Sequence, residues 1–415
     1  MWWRHFLKLL LVAYYYPPPD GAGTGRPAFM TRYLRERGHD VTVLTRSYAG
    51  DETRKGLIRV HDPSCNGRRR GMGAAVWLVR RLWVETANSL GVPRTVLSCW
   101  YRRALRAGHD FVAREAPDLV LATYPPAETL MLGMALARRS GSPLVADFRD
   151  GLTFEPVEGV LPLRFAAIRH KYAEVEQHTL AMAAGVSAAH PALADYLRGR
   201  APQARILWLP NGYDPAENIR PLPVDREAGF HLVHTGRFGR SDPGCDPTPL
   251  VRVLERMPAG EAPCCLHLVG RLTAAEKRLF RPLVRRGRVK THPAASRAQS
   301  LAWQAWADGL LLVVSPRRPS VIPGKLLEYL PRTAPILAVA PGGAAADMVM
   351  ECGRGWAVDP RDLEKLQTAL AQMVRGQEPP GRRDDARIAR FAWPRLGHEL
   401  ESFLLEVVAR HQEVS

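Results

Sequence analysis

The chain alternates short apolar runs with longer stretches in which apolar residues recur every three or four positions. The first apolar run, Leu9–Tyr15, has the length of a buried strand. The next stretch, Pro27–Arg37, places its apolar residues on one helical face, and Gly38 fits the position just after a helix end. A second strand-like run, DVTVLT, follows at once. Strand, helix and strand within roughly 40 residues predict a βαβ unit with parallel strands.

The same alternation continues through the chain. It predicts further strands at DLVLAT, PLVAD, GVSAAH and RILWLP. A segment rich in Pro, Asn, Gly and Asp then interrupts it, which is typical of a linker. A second series follows, with strands predicted at FHLVHT, CCLHLVG, RVKTH, LLLVV, PILAVA and GWAVD. Buried strands alternating with helices indicate parallel sheets that are covered on both faces.

The predicted fold class is therefore α/β, with two Rossmann-like domains. The first domain spans residues 1–209 and the second spans residues 230–385. Residues 210–229 form the linker. An amphipathic helix within residues 386–415 lies outside the alternation, and we expect it to pack back across the domains.

The length of 415 residues allows two separate hydrophobic cores. A formal net charge of +17 indicates phosphates, nucleic acid or an anionic membrane surface as partners. Six scattered cysteines show no metal-binding spacing, which favours a reduced cytoplasmic protein. No stretch approaches the roughly 20 apolar residues of a membrane span. We interpret the apolar N-terminal segment as the first strand rather than a signal peptide, because a glycine turn and a helix follow it directly.

A glycine-rich loop, GAGTG, separates the first strand from the first helix. In this position the free amides of the helix N-terminus favour an anion, and glycines let a ligand approach closely. The loop departs from the dinucleotide fingerprint because Arg26 occupies its sixth position. Arg46, at the end of the second strand, could accept an NADP 2′-phosphate. An NADP-dependent oxidoreductase therefore stays open as a less favoured alternative, as does a turn that binds nothing.

Five segments together resemble bacterial retaining glycosyltransferases of the GT-B fold, of the glycosyltransferase family 4 type. The first is YYYPPPDGAGTGRPAFMTRYLRERGHDVTVLT, and the others follow in the family's order: PLVADFRDGL, LPNGYDP, HTGRFGRSDP and IPGKLLEYLPRTAPILAV. The resemblance implies two Rossmann-like domains that face each other across a cleft. It also implies a nucleotide-sugar donor bound mainly by the C-terminal domain and an acceptor bound mainly by the N-terminal one.

The resemblance implies a donor site built from basic groups, helix N-termini and one glutamate. Arg237 would bind the diphosphate and act on its developing charge, Lys325 would add a second positive charge, and Glu328 would accept hydrogen bonds from the ribose hydroxyls. The residues predicted to bind the donor are Gly21, Gly23, Arg237, Arg240, Gly324, Lys325 and Glu328. The family's usual earlier glutamate is replaced by Ser320. Since no D-x-D motif occurs in the chain, we expect neither a metal nor another cofactor.

The acceptor side supplies two further catalytic candidates. Asp150 follows a predicted strand of the first domain and could orient the acceptor or move a proton. Many relatives place a histidine after the preceding strand, whereas this chain has Ala127 and Glu128 there. Glu128 would then substitute for that histidine, or the departing phosphate itself would take the proton. The predicted catalytic residues are thus Asp150, Glu128 and Arg237.

Residues 64–109 form a basic stretch with nine arginines, one acidic residue and interleaved aromatics. Basic side chains with indole rings suit the interface of an anionic membrane. The alternative is a helical region with tryptophan in the core and arginine in water. No nucleic-acid-binding motif is present, so nucleic acid is not expected as a partner. A protein placed peripherally on the inner face of the cytoplasmic membrane fits this pattern.

Together these features predict a retaining, metal-independent glycosyltransferase. It would move a sugar from a nucleotide diphosphate to a cell-envelope glycan or a lipid-linked acceptor. The alternative from another class is a catalytically silent, nucleotide-binding interaction protein of the same fold. Ser320 and the missing histidine motivate that alternative.

Overall fold

The structure is a computed structural model. It describes residues 6–18, 23–48, 55–62, 72–90, 95, 97–156, 166–222, 226–239, 244–257 and 264–414. The chain divides into two compact units. The first unit runs to Pro210 and takes up the chain again from Leu396, and the second unit is Asn211–Arg395.

The first unit is built on a seven-stranded parallel sheet. Along the chain its strands are β1 (Lys8–Val12), β2 (Asp40–Arg46), β3 (Leu57–Val60), β4 (Leu119–Tyr124), β5 (Leu144–Phe148), β6 (Gly185–Ala188) and β7 (Arg205–Trp208). Their spatial order is β3-β2-β1-β4-β5-β6-β7. In the register of the central strand, Leu10 lies between Thr42 and Val120. The apolar residues of β1 and β4 are buried on both faces, as expected for central parallel strands.

Helices connect these strands and cover the sheet. They are α1 (Gly25–Glu36), α2 (Met72–Ser89), α3 (Ser98–Glu115), α4 (Ala127–Ser140), α5 (Ala166–Met182) and α6 (Pro191–Arg198). The last helix of the chain, α14 (Trp393–Val414), packs on this unit from Leu396 onwards. Its Glu401 accepts hydrogen bonds from Arg37 at 3.0 Å and contacts His39 at 3.2 Å.

The second unit repeats this plan with six parallel strands. They are β8 (Phe230–Thr235), β9 (Cys264–Val269), β10 (Val289–His292), β11 (Gly309–Val313), β12 (Ile336–Val339) and β13 (Gly355–Val358), in the order β10-β9-β8-β11-β12-β13. The helices are α7 (Thr248–Arg256), α8 (Ala274–Arg285), α9 (Arg297–Trp306), α10 (Gly324–Tyr329), α11 (Ala344–Glu351), α12 (Leu363–Val374) and α13 (Asp385–Ala389).

In each sheet the strand order reverses beside the first strand. β1 lies between β2 and β4, and β8 lies between β9 and β11. At such a point the carboxyl ends of neighbouring strands open a crevice, which is where open α/β sheets bind ligands. The loops that follow β1 and β8 contain Gly23 and Arg237, so the topology places both predicted residues at such positions.

The sequence pattern predicted most of this architecture. The α/β class with parallel sheets is confirmed, and so is the turn after α1, where Gly38 has a φ of +95°. β3 was not anticipated, because four residues with only half-buried centres give no clear period. No helix in the described part of the chain is both long and apolar enough to cross a membrane.

Candidate active site

In the second unit, the loop after β8 is anchored by one buried ring. Phe238 is buried and stacks on the imidazole of His234 with ring centroids 4.1 Å apart. Gly236 has a φ of +100°, a value that favours glycine, and its carbonyl approaches Gly270 closely. Between these two fixed points, the Arg237 side chain is exposed. The segment from Gly236 to Phe238 is therefore fixed at both ends, and it presents the Arg237 guanidinium to solvent.

Lys325 reaches this loop from α10. Its Nζ lies 3.4 Å from the carbonyl oxygen of Arg237 and 3.3 Å from Nε2 of His234. As expected, Pro323 precedes the helix and Gly324 is its first residue. Gly324 is exposed, and a Cβ built there would meet nothing within 4 Å. The structure thus brings Lys325 and the Arg237 loop together, although 88 residues separate them in sequence.

Glu328 lies on the same helix, three residues after Lys325, so the two side chains are neighbours on its surface. Its carboxylate is paired with Arg297 and accepts a hydrogen bond of 3.0 Å from Nε2 of Gln304. Arg297 also donates to Glu217 at 2.8 Å. The side chain of Glu328 keeps 20% of its surface exposed. Two donors do not saturate a carboxylate, which leaves acceptor positions for hydroxyl groups.

The charges around Glu328 stabilise one another. Burial alone lowers the pKa of Arg297, but the carboxylates of Glu328 and Glu217 outweigh that effect and raise it. The guanidinium is therefore a permanent positive charge beside Glu328. It pairs with the carboxylate and fixes its orientation.

A buried polar network joins the end of β8 to both helices. Gln304 is fully buried, and its amide nitrogen donates to Oγ1 of Thr235 at 3.1 Å as well as to Glu328. The backbone amide of Thr235 donates to the Tyr329 hydroxyl at 3.3 Å. The Oε1 atom of Gln304 is buried without a hydrogen-bond partner among the described residues. No sequence motif marked Gln304 or Arg297, because both lie on an amphipathic helix, α9, whose pattern indicates only a buried face.

In the first unit, the guanidinium of Arg149 bonds to backbone carbonyls of two of the loops predicted to form the site. It is buried and donates to the carbonyl oxygen of Gly23, to that of Tyr124 at 3.2 Å and to that of Pro125 at 3.4 Å. Burial lowers its pKa, and the neighbouring Asp150 opposes that shift. Gly23 and Asp150 therefore lie in the same part of the sheet edge. Gly21 and Arg240, the other predicted loop residues, are outside the described residues.

Glu128 lies in the first turn of α4 and is almost entirely buried. Burial raises the pKa of its carboxyl group above the ordinary value, and the charge of Asp62 adds to the shift. The hydroxyl of Thr95 donates to this carboxyl group and opposes the shift. Glu128 thus holds a proton more readily than an ordinary exposed carboxyl group does.

Arg26, the residue that interrupts the dinucleotide fingerprint, is part of a buried ion pair. Its Nη2 lies 2.6 Å from Oδ1 of Asp147, and its Nε lies 3.1 Å from Oδ2. Its Nη1 donates to the carbonyl oxygens of Leu209 and Pro210 at 2.7 and 2.9 Å. Four of the five N–H donors of this buried guanidinium bond to groups of the protein itself. Arg26 therefore attaches the glycine loop to β5 and to the end of the first unit, and its role is structural.

The oxidoreductase alternative depended on Arg46 at the end of β2. The Arg46 guanidinium lies 4.5 Å from the ring of Tyr48 and 4.8 Å from that of Tyr14. It also donates to the Tyr48 hydroxyl at 2.7 Å. Tyrosines therefore hold the group that an NADP 2′-phosphate would have to engage.

Solved structures with the same architecture define the fold class as GT-B. The lipopolysaccharide outer core galactosyltransferase WaaB in its apo form is 13% identical, with a TM-score of 0.60, over 96% of this chain and 99% of its own. Anabaena HepE in complex with UDP and glucose is 15% identical, with a TM-score of 0.59, over 96% and 100%. Apo OtsA is 13% identical, with a TM-score of 0.59, over 96% and 99%. Likeness at such low identity establishes the fold and nothing finer.

The family comparison identifies one domain of the chain. Residues 28–212 match the family model described as a glycosyl transferase 4-like domain. Comparison with curated protein sequences gives no significant match. The chain therefore has the GT-B fold, and its residues 28–212 are a glycosyl transferase 4-like domain. This agrees with the resemblance seen in the sequence motifs.

Proposed function

We propose that this protein is a retaining, metal-independent glycosyltransferase that uses a nucleotide-diphosphate sugar. The donor binds to the second unit, at the carboxyl edge of its sheet. The observation that supports this most directly is the meeting of Lys325 with the Arg237 loop, one helical turn from a carboxylate fixed by Arg297. The GT-B neighbour HepE, which is solved with UDP and with UDP-glucose, supports the same class of donor.

The proposed roles follow from the charge that develops during the reaction. Breaking the bond between the anomeric carbon and the diphosphate places negative charge on the departing phosphate. Arg237 and Lys325 stabilise that charge from one side of the loop. Glu328 accepts hydrogen bonds from the ribose hydroxyls, because two of its acceptor positions stay available. With two cationic side chains at this position and no D-x-D motif in the chain, charge compensation does not require a divalent ion.

The acceptor binds to the first unit, near the loops after β1, β4 and β5. Asp150 orients the attacking hydroxyl there. Glu128, whose pKa is raised by burial, is the second candidate for proton transfer. Retention of configuration also allows the departing phosphate to take the acceptor proton directly, and the buried position of Glu128 favours that route.

The exposed face of α2 suits contact with a membrane, and it therefore supports a glycan or lipid-linked acceptor of the cell envelope. Val79, Leu82 and Trp83 lie at helical spacing and are 66%, 53% and 56% exposed. On α3, Arg102, Arg103 and Arg106 are exposed as well. Apolar residues on one helix with basic residues nearby suit an anionic membrane surface. Of the other six arginines of this stretch, Arg80 and Arg81 belong to α2, whereas Arg68 to Arg70 and Arg94 lie outside the described residues.

The decisive experiment is a panel of UDP- and GDP-sugars, incubated with and without a cell-envelope extract as acceptor. We expect saturable donor hydrolysis or transfer for at least one sugar, with retained anomeric configuration and full activity in EDTA. Nucleotide binding without turnover on any donor would favour the catalytically silent protein of the same fold. Loss of activity in EDTA, restored by a divalent ion, would contradict the metal-independent mechanism.

A further inference from the structure

His234 lies directly beside the proposed donor site, although no motif in the sequence marked it. It is the fifth residue of β8 and is 1% exposed. Its ring stacks on Phe238 with an angle of 12° between the planes. Both faces of the imidazole are thus enclosed by the fold, and only the two ring nitrogens have polar neighbours.

The hydrogen-bond partners assign the tautomer. Nδ1 lies 3.1 Å from the carbonyl oxygen of Leu311, which can only accept, so Nδ1 holds the proton. Nε2 lies 3.3 Å from Nζ of Lys325, an ammonium group that can only donate. Nε2 therefore presents a lone pair to Lys325. In the opposite tautomer, the lone pair of Nδ1 would face the carbonyl oxygen of Leu311, which is also an acceptor. The N–H of Nε2 would then face the ammonium of Lys325, which is also a donor.

A second proton on this ring is disfavoured. Burial lowers the pKa of His234 well below its ordinary value, and the charge of Lys325 lowers it further. Hydrogen bonds to the backbone of Leu311 and Arg237 oppose this shift without outweighing it. The imidazole is therefore neutral at physiological pH, and it bonds to Lys325 as an uncharged acceptor. Lys325 is also held by the carbonyl oxygen of Arg237 at 3.4 Å, another uncharged acceptor.

We propose that His234 is a positioning residue that aims the ammonium of Lys325 at the donor diphosphate. The identity of the ligand in this inference rests on the proposed function, whereas the contact between His234 and Lys325 does not. A lysine side chain has many rotamers, and a fixed acceptor selects one of them. Because the imidazole is neutral, it orients the ammonium without cancelling its charge, as a carboxylate in the same place would.

Two substitutions separate this role from a purely structural one. In His234→Gln the amide oxygen can occupy the place of Nε2 and accept from Lys325. In His234→Asn the shorter amide can replace Nδ1 and bond to Leu311, but it cannot reach Lys325. If His234 positions Lys325, the Gln variant should keep more function than the Asn variant. If His234 only supports the backbone at Leu311, the Asn variant should keep more. His231→Gln is the matched control, because His231 is equally buried on the same strand and contacts His267 and Glu227 instead.

Binding is measured by calorimetry with UDP, GDP and uridine on the full-length protein. We expect His234→Asn to weaken binding of the preferred nucleoside diphosphate, UDP or GDP, about tenfold or more. This is the scale of a hydrogen bond to a charged group. Uridine affinity should not change, because that ligand has no phosphate. His234→Gln should stay within about threefold of the native affinity, and His231→Gln should match it. In donor hydrolysis, kcat should fall more than KM rises for His234→Asn, since charge on the phosphate grows in the transition state.

Nitrogen NMR of the imidazoles in ligand-free protein tests the contact without any ligand. The His234 signals, assigned by their loss in His234→Gln, should show a neutral ring with its proton on Nδ1. A proton on Nε2 would overturn the proposal. So would native diphosphate affinity in His234→Asn, or equal losses for the Asn and Gln variants. If the native protein binds neither UDP nor GDP, the proposed function fails instead, and the tautomer still decides whether His234 orients Lys325.

Discussion

Replacing Arg26 with methionine separates two roles that a basic residue in a glycine loop can have. If Arg26 bound a phosphate, the Arg26→Met variant would fold normally and lose nucleotide affinity. In the structure, its guanidinium instead pairs with Asp147, whose side chain is completely buried. We therefore expect a loss of stability in the first unit, with nucleotide binding by the second unit unchanged.

The size of the effect follows from the partners that are lost. Arg26 makes two bonds to Asp147 and two to the carbonyl oxygens of Leu209 and Pro210. Its removal leaves a carboxylate in the core without its paired guanidinium, and breaking a buried pair in this way costs about 3–5 kcal/mol. For a unit of this size, that corresponds to a melting temperature lower by roughly 6–20 °C.

The same pair predicts how stability depends on pH. Burial alone raises the pKa of Asp147, but the charge of Arg26 and hydrogen bonds from Arg26, Ser187 and Thr123 outweigh it. The pKa therefore lies below the ordinary 3.8. A lowered carboxyl pKa adds stability above pH 3.8 that is lost as the pH falls through the folded-state value. In Arg26→Met this acid-dependent part should largely disappear.

Scanning calorimetry and urea unfolding at pH 7 measure the change, with Arg32→Met as the control. Arg32 is exposed on the same helix, so its replacement should alter stability by no more than about 0.5 kcal/mol. The double variant Arg26→Met with Asp147→Asn should be more stable than Arg26→Met alone, because no unpaired charge remains. A loss below about 1 kcal/mol, or a nucleotide defect without a stability defect, would refute the structural role of Arg26.

Three further changes test the site and the surface. Glu328→Gln should weaken UDP or GDP binding about tenfold, because a carboxylate that accepts hydrogen bonds from the ribose hydroxyls is lost. Calorimetry measures this change, with Glu351→Gln, at an exposed position, as the control. Equal affinities of the native protein and Glu328→Gln would remove Glu328 from the site. Arg237→Ala should lower kcat more than it weakens donor binding, because the charge on the departing phosphate is largest in the transition state; steady-state kinetics would show the reverse pattern if Arg237 only bound the ground state. Replacing Leu82 and Trp83 together with serine should reduce sedimentation with anionic liposomes in low salt, and unchanged sedimentation would rule out α2 as the membrane contact.

The sequence by itself determined the layout of the chain. Apolar runs of strand length and helical spacing are local signals, so the strands at Leu9 and Phe230 and the helix before Gly38 could be predicted without any tertiary contact. The proline that precedes α10 and the glycine that begins it are equally local signals. The order of the motifs then indicated the family, and the comparisons agree with it.

Only the tertiary structure decided which side chains meet. Arg26 and Asp147 are separated by 121 residues, and His234 and Lys325 by 91. The residue spacing within either segment does not predict which distant residue it will contact. His234 in particular resembles any polar residue in a buried strand, and its role follows only from the atoms that face each ring nitrogen. Periodicity records which face of an element is buried, whereas hydrogen bonding and charge depend on neighbours that folding brings from distant parts of the chain.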